Sequence, residues 1–167
     1  MITNVLLAHP WMSPLALALL VAGGPLLGRS LVRRPRLAWW LLGVSLVPVA
    51  VTTLAPVGRR VEQFCLVQWS VPTPSRVELM ANVVLFVAPA LLLAIATRRP
   101  ALTLLAGAGL SGAIELVQAL VPAIGRSCDT TDWTSNTIGV AIGAALGWAA
   151  LRLTPVGRPP GRRGRGA

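Results

Sequence analysis

The chain has 167 residues, of which 54% are hydrophobic and 12% are charged. A soluble domain carries roughly 25% charged residues, so this composition leaves too little charge for a water-facing surface and indicates a membrane protein. The formal net charge of +10 comes from arginine, since the sequence has no lysine. Most of the arginines stand in gaps between apolar runs. This pattern is typical of cytoplasmic loops against anionic headgroups, and we expect no nucleic acid partner.

Five apolar segments follow one another, each close to the roughly 20 residues that a spanning helix needs. The first contains Pro14, Gly23, Gly24 and Pro25, which spanning helices tolerate. No basic residue precedes it in this sequence, so we predict a retained helix and not a secretory signal. The fold class is therefore an all-α transmembrane bundle of the cell membrane, predicted as one domain over residues 1–154. The predicted spans are 11–28, 37–55, 79–97, 101–123 and 133–153.

The arginines predict how the bundle is oriented. Eleven of them lie between spans one and two, between spans three and four, and after span five, whereas the other side holds four. The side richer in basic residues marks the cytoplasm, so the N-terminus is predicted outside and the C-terminus inside. Residues 155–167 are rich in Pro, Gly and Arg, and we predict a disordered tail against the inner leaflet.

Both cysteines fall on the predicted outer side. Cys65 lies between spans two and three, and Cys128 lies between spans four and five. Because an oxidising exterior permits a bridge, we predict a disulfide between them. Two unpaired thiols are the alternative, if the two loops do not meet.

Glu115 is the main candidate functional residue, because a carboxylate within a span is costly unless it is paired, protonated or facing water. Ser111 and Gln118 lie four residues before it and three after it, so all three share one helix face. With polar residues of the third and fifth spans and of the connection between spans four and five, they are predicted to line a pocket at the outer leaflet. The predicted lining is Asn82, Ser111, Glu115, Gln118, Arg126, Asp129, Asp132 and Asn136.

The same polar residues also allow an interpretation in which they only hold the bundle together. In that case Glu115 forms a buried pair with Arg126, and Asn82 and Asn136 bond neighbouring helices. We rank the pocket above this alternative, because the polar residues of several segments collect at one depth.

Three glycines of the fifth span recur at spacings of four, which predicts close approach of a second helix: Gly139, Gly143 and Gly147. The sequence has no cluster of His and Cys and no Gly-rich phosphate loop. We therefore expect no metal and no cofactor.

Motifs over residues 78–153 resemble those of the VanZ-like family. The chain departs from the family pattern after Phe86, where Val87 to Ala90 replace a Pro–Phe–Gly-like segment. The resemblance implies a small, multi-helix bacterial envelope protein, and it implies a site made of the predicted pocket residues. The family takes its name from a member associated with teicoplanin resistance. The residues that carry the resemblance are Asn82 with Phe86 and Pro89, Ser111 with Glu115 and Gln118, Arg126, and Asp132 with Asn136, Gly139 and Gly143.

Four functions compete at this point. The first in rank is a non-catalytic protein that binds a lipid-linked wall precursor or a lipoglycopeptide, with Arg126 against an anionic group. An intramembrane enzyme with Glu115 as general base ranks second, because no nucleophile is evident. A transporter ranks third, since the inner halves of the last three spans are apolar. A membrane scaffold without a ligand is the fourth. Apart from membrane lipids and such a ligand, no partner is predicted.

Overall fold

The computed structural model describes residues 8–58 and 65–154. The predicted tail at 155–167 lies outside the described residues, as do Arg59, Arg60 and Glu62. Within the described part, five helices are long and apolar enough to cross a membrane, which confirms the predicted all-α, five-span fold. The helices are α1 (Met12–Val32), α2 (Pro35–Leu54), α3 (Val77–Thr97), α4 (Pro100–Leu120) and α5 (Thr130–Arg152).

Three helix ends differ from the prediction, each for a local reason. α1 continues past Gly28 to Val32, and Arg29 lies in its last turn, where a cation favours the carbonyl end of a helix. α4 ends at Leu120, since the residue before Pro122 is disfavoured in the helical conformation. A 3-10 helix (Pro122–Ile124) follows it. α5 begins at Thr130 because Asp129 caps it, accepting from the Thr131 amide.

Tight turns join α1 to α2 and α3 to α4 at one end of the bundle. α2 and α4 each begin with a proline, whose fixed φ suits the first helical position. Arg98 ends α3 in the left-handed conformation, with φ 56°, and its guanidinium donates to the Val32 carbonyl at 3.3 Å. We call this side the arginine end. Its arginines are Arg29, Arg33, Arg34, Arg36, Arg98, Arg99 and Arg152.

A disulfide joins the connections at the opposite side, which we call the disulfide end. Cys65 and Cys128 are bonded, with their Cα atoms 4.5 Å apart, and this is the pair considered in the sequence. The bonded cysteines begin two short parallel strands, β1 (Cys65–Leu66) and β2 (Cys128–Asp129). The connection between α2 and α3 is therefore fixed onto the connection between α4 and α5.

The core of the bundle is the pair of helices α3 and α5. A Cβ on Gly139 or Gly143 would collide with the carbonyl oxygen of Val83 or Val87, respectively. A Cβ on Gly147 would meet the side chain of Ala94. Because these positions have no side chain, the backbone of α5 lies directly against α3.

The helices α1 and α2 pack on the outside of this pair. Gly28 brings α1 close to α3 and α5, since a Cβ there would lie 2.8 Å from Ala150 Cβ. α2 packs on α3 through Val49, which shares a buried cluster with Phe86. The remaining faces of α1 and α2 expose large apolar side chains, as expected of surfaces that contact lipid.

Candidate functional site at the disulfide end

The structure places all eight predicted pocket residues towards the disulfide end, but it distributes them over several contacts instead of one cavity. Asn82 in α3 donates its side-chain amide to Asp132 in α5, at 2.8 Å. This bond crosses the α3–α5 interface between the disulfide end and Gly139. Asp132 is also close enough to Arg126 for the two charges to attract.

A second polar bond joins α4 to α5. Asn136 donates to the Ser111 hydroxyl at 3.0 Å, and both side chains are buried. One turn earlier, the Trp133 indole nitrogen donates to the Ala108 carbonyl at 3.2 Å. The side-chain oxygen Oδ1 of Asn136 and the neighbouring Ser135 hydroxyl are buried without a hydrogen-bond partner among the described residues.

Glu115 is a buried carboxylate at the end of α4, with 9% of its surface exposed. One of its oxygens accepts the backbone amide of Asp129, at 2.7 Å. The carboxylates of Asp129 and Asp132 are close enough to repel it. Glu115 thus lies in a group of like charges, and the site would gain from a positively charged or hydrogen-donating ligand.

The alternative pair of Glu115 and Arg126 is not formed. Glu115 bonds the Asp129 amide instead. The Nε atom of Arg126 is buried without a hydrogen-bond partner in the described part of the chain.

Gln118 faces away from the other predicted residues. Its amide donates to the Thr53 carbonyl of α2 at 2.9 Å, and it is 7% exposed. The bond joins α4 to the outer helix α2. In this arrangement Gln118 positions helices and does not line a cavity.

One small pocket, of about 150 Å³, opens beside Glu115 between α4 and the start of α5. Of the predicted lining residues only Glu115 and Asp129 reach it. The other walls include an indole and a disulfide sulfur. The full lining is Gly112, Glu115, Cys128, Asp129, Thr130 and Trp133.

Gln68 is a site residue that the sequence analysis did not identify. Its side-chain amide donates to the Asp129 carboxylate at 2.7 Å, and its backbone N–H donates to the Thr130 hydroxyl at 2.9 Å. Its carbonyl accepts from the Thr131 hydroxyl at 2.9 Å. Gln68 follows Cys65 by three residues in an irregular loop. Its closeness in sequence to this cysteine is the one signal that could have identified it. Together with the disulfide, it holds the α2–α3 connection over the pocket.

Comparison with known proteins places these residues in a family context. A family model described as VanZ/LLP1 matches residues 29–152. The match extends from the last turn of α1 through α5 and contains every predicted pocket residue. No curated protein and no solved structure matches the chain.

Proposed function

Since the chain belongs to the VanZ/LLP1 family, we propose that it binds the polar headgroup of an envelope lipid or lipoglycopeptide. Its five apolar helices and its family make it a multi-pass membrane protein. The binding site in this proposal is the pocket at the disulfide end, in the outer leaflet of the cell membrane. Teicoplanin-type resistance is the expected consequence.

Two features support an extracytoplasmic position for the disulfide end. Disulfides persist in oxidising compartments and are rare in the cytosol, and the Cys65–Cys128 bond lies at this end. The arginine end holds most of the basic residues of the connections, and such residues favour the cytoplasmic side. Both features support the same orientation.

The burial of Glu115 beside the open pocket is the observation that carries this proposal. A carboxylate in a membrane span is costly, and its known partner here is a single backbone amide. A bundle that needed only helix contacts could use neutral amides, as it does at Asn136. A buried carboxylate that borders a pocket favours a ligand that donates hydrogen bonds or carries an amine.

The chemistry of the surrounding residues suggests the class of ligand. Glu115 and Asp129 border the pocket, whose accessible wall is apolar, so their oxygens can accept from sugar hydroxyls, amides or amines only after a wall side chain moves aside. Arg126 supplies a cation at the same end of the bundle, suited to a phosphate or carboxylate. Trp133 gives the pocket an apolar wall. Sugar–peptide headgroups on a lipid tail combine these groups at the depth of the outer leaflet.

Enzymatic action on an envelope lipid ranks second in this proposal. Glu115 would be the general base. The hydroxyl nearest to it in the pocket wall belongs to Thr130, and this hydroxyl donates to the Gln68 carbonyl. A hydroxyl held in this way is a poor nucleophile, so attack would have to come from the substrate or from water.

The proposal is tested by teicoplanin susceptibility in a sensitive host that expresses the protein. Wild type and Glu115→Gln are compared at matched membrane abundance. We expect tolerance with wild type and its loss with Glu115→Gln. Equal tolerance in these two strains would overturn the role of Glu115.

Direct binding separates the binder from the enzyme. Purified protein in nanodiscs is titrated with teicoplanin and with a lipid-linked wall precursor, followed by mass spectrometry of the recovered ligand. The binder returns the ligand unchanged and loses affinity with Glu115→Gln. A covalently altered ligand would instead support catalysis.

A further inference from the structure

A groove runs along the lipid-facing side of α2 close to the arginine end. It has a volume of about 370 Å³ and is lined by Trp39, Trp40, Gly43, Val44 and Val47. These residues recur within two turns on one face of the helix. All five residues belong to α2, so the groove is a shallow, open depression on the surface of one helix.

No described helix fills this groove. A Cβ built on Gly43 meets no atom within 4 Å, so the glycine forms an open notch. The rings of Trp39 and Trp40 beside it are 51% and 76% exposed. Tryptophan rings with these exposures are typical of the boundary between lipid headgroups and acyl chains.

A cation stands at the headgroup end of the groove. Arg36 lies in the first turn of α2, four residues before Trp40, so both belong to the same helix face. Arg33 and Arg34 directly precede the helix and are exposed. Because helical side chains lean towards the N-terminus, Arg36 extends away from the notch and towards the aqueous boundary.

Within residues 8–58 and 65–154, no acidic side chain lies at the arginine end. All five acidic residues of the chain lie at or beyond position 62. The four of them that the structure describes, Glu78, Glu115, Asp129 and Asp132, lie towards the disulfide end. The described acidic residues therefore leave the arginine end a positively charged surface, which attracts anionic headgroups.

We propose that this groove binds one anionic glycerophospholipid, with its phosphate on Arg36 and an acyl chain in the notch at Gly43. The amphiphilic order of the groove, from arginine through tryptophan to glycine and valine, matches the order of groups in such a lipid. A second copy of the chain is a weaker occupant, since a two-fold contact on this face would place two arginine clusters together. The site is distinct from the pocket at the disulfide end and does not depend on the function proposed for it.

The test is native mass spectrometry of the purified full chain in a neutral detergent, titrated with phosphatidylglycerol or with phosphatidylcholine. Gly43→Leu fills the notch, and Gly109→Leu is the matched control, because Gly109 also meets no atom within 4 Å. We expect Gly43→Leu to weaken phosphatidylglycerol retention and Gly109→Leu to leave it unchanged. Equal retention by both variants would overturn the proposal.

Arg36→Gln tests the headgroup contact separately. One arginine near an anionic lipid is worth about 1 kcal/mol, so we expect roughly fivefold weaker retention of phosphatidylglycerol. The change with phosphatidylcholine should be smaller, because its own ammonium group offsets the charge of its phosphate. An unchanged preference for phosphatidylglycerol would contradict the proposal. A dimer that Gly43→Leu dissociates would overturn it in favour of a second copy, and thermal unfolding of each variant confirms that the fold is retained.

Discussion

In α3, α4 and α5, the side-chain amides and Trp133 bond a neighbouring helix, whereas the hydroxyl side chains of α2 bond their own backbone. Asn82 and Asn136 of the first group donate to side chains of a neighbouring helix. Ser45 and Thr53 of α2 donate to carbonyls three and four residues earlier in the same helix. Polar residues thus determine how the last three helices fit together, while α2 receives its position from apolar packing and from Gln118.

Glycine differs between the same two regions. Gly139 and Gly143 have no room for a side chain, because α3 lies against them. A Cβ built on Gly43, in α2, meets nothing within 4 Å. The same residue type therefore allows close helix packing at α5 and leaves an open surface at α2.

The largest effect should come from Gly143→Leu. The new side chain would meet the Val87 carbonyl and the Ala90 side chain, and a backbone cannot move aside as a flexible side chain can. Overpacking of a core by side chains costs about 1–3 kcal/mol and occasionally more. Because this clash is with the backbone of α3, we place the loss above that range and expect loss of the monodisperse protein. Size-exclusion chromatography after heating measures this, with Gly109→Leu as the control. Normal thermal stability of Gly143→Leu would contradict the close α3–α5 contact.

Loss of the disulfide should have the next largest effect. The bond closes a loop with a sequence separation of 63. A chain-entropy estimate for such a loop is about 4 kcal/mol, which is an upper limit because the membrane already restrains the helices. We expect Cys65→Ser with Cys128→Ser to lower the unfolding temperature measurably and to weaken ligand binding. Reducing agent should lower the wild-type unfolding temperature and leave the double variant unaffected. A shift of the same size in both proteins would contradict this role.

The bond from Asn82 to Asp132 should contribute less. Asn82→Ala leaves a half-buried carboxylate without its donor, which costs about 1–3 kcal/mol. Asp132→Asn keeps an acceptor and removes the charge, so it should cost less than Asn82→Ala. Reversible unfolding in mixed micelles gives both values. A larger loss for Asp132→Asn would mean that the charge of Asp132 matters more than the hydrogen bond.

The five spans and a close helix contact on the glycine face of α5 could be predicted from the sequence, because both follow from periodicity; that α3 is the partner could not. Apolar runs of sufficient length specify spanning helices, and small residues at spacings of four specify a close helix contact. The orientation remains a prediction. Its support combines the distribution of arginines with the compartment in which Cys65 and Cys128 can form a disulfide.

The partner of each polar residue could not be predicted. Depth in the membrane follows from sequence position, so Ser111, Glu115 and Gln118 were placed together. The rotation of each helix about its axis follows from packing, and it decides whether such residues face a cavity or one another. In the structure Gln118 points to α2 and Ser111 to α5, which leaves Glu115 at the pocket.

The smallest effect, and the finest test of the comparison, comes from the Ser111–Asn136 pair. Hydrogen bonds between membrane helices contribute about 0.6 kcal/mol on average in double-mutant cycles, and we expect a coupling of this size for Ser111→Ala with Asn136→Ala. The matched cycle on α2 combines Ser45→Ala with Asn136→Ala. Because Ser45 bonds its own helix, its coupling to Asn136 should be zero within error. Equal coupling energies in the two cycles would contradict this expectation. They would mean that the Ser111–Asn136 hydrogen bond contributes no specific stability between α4 and α5.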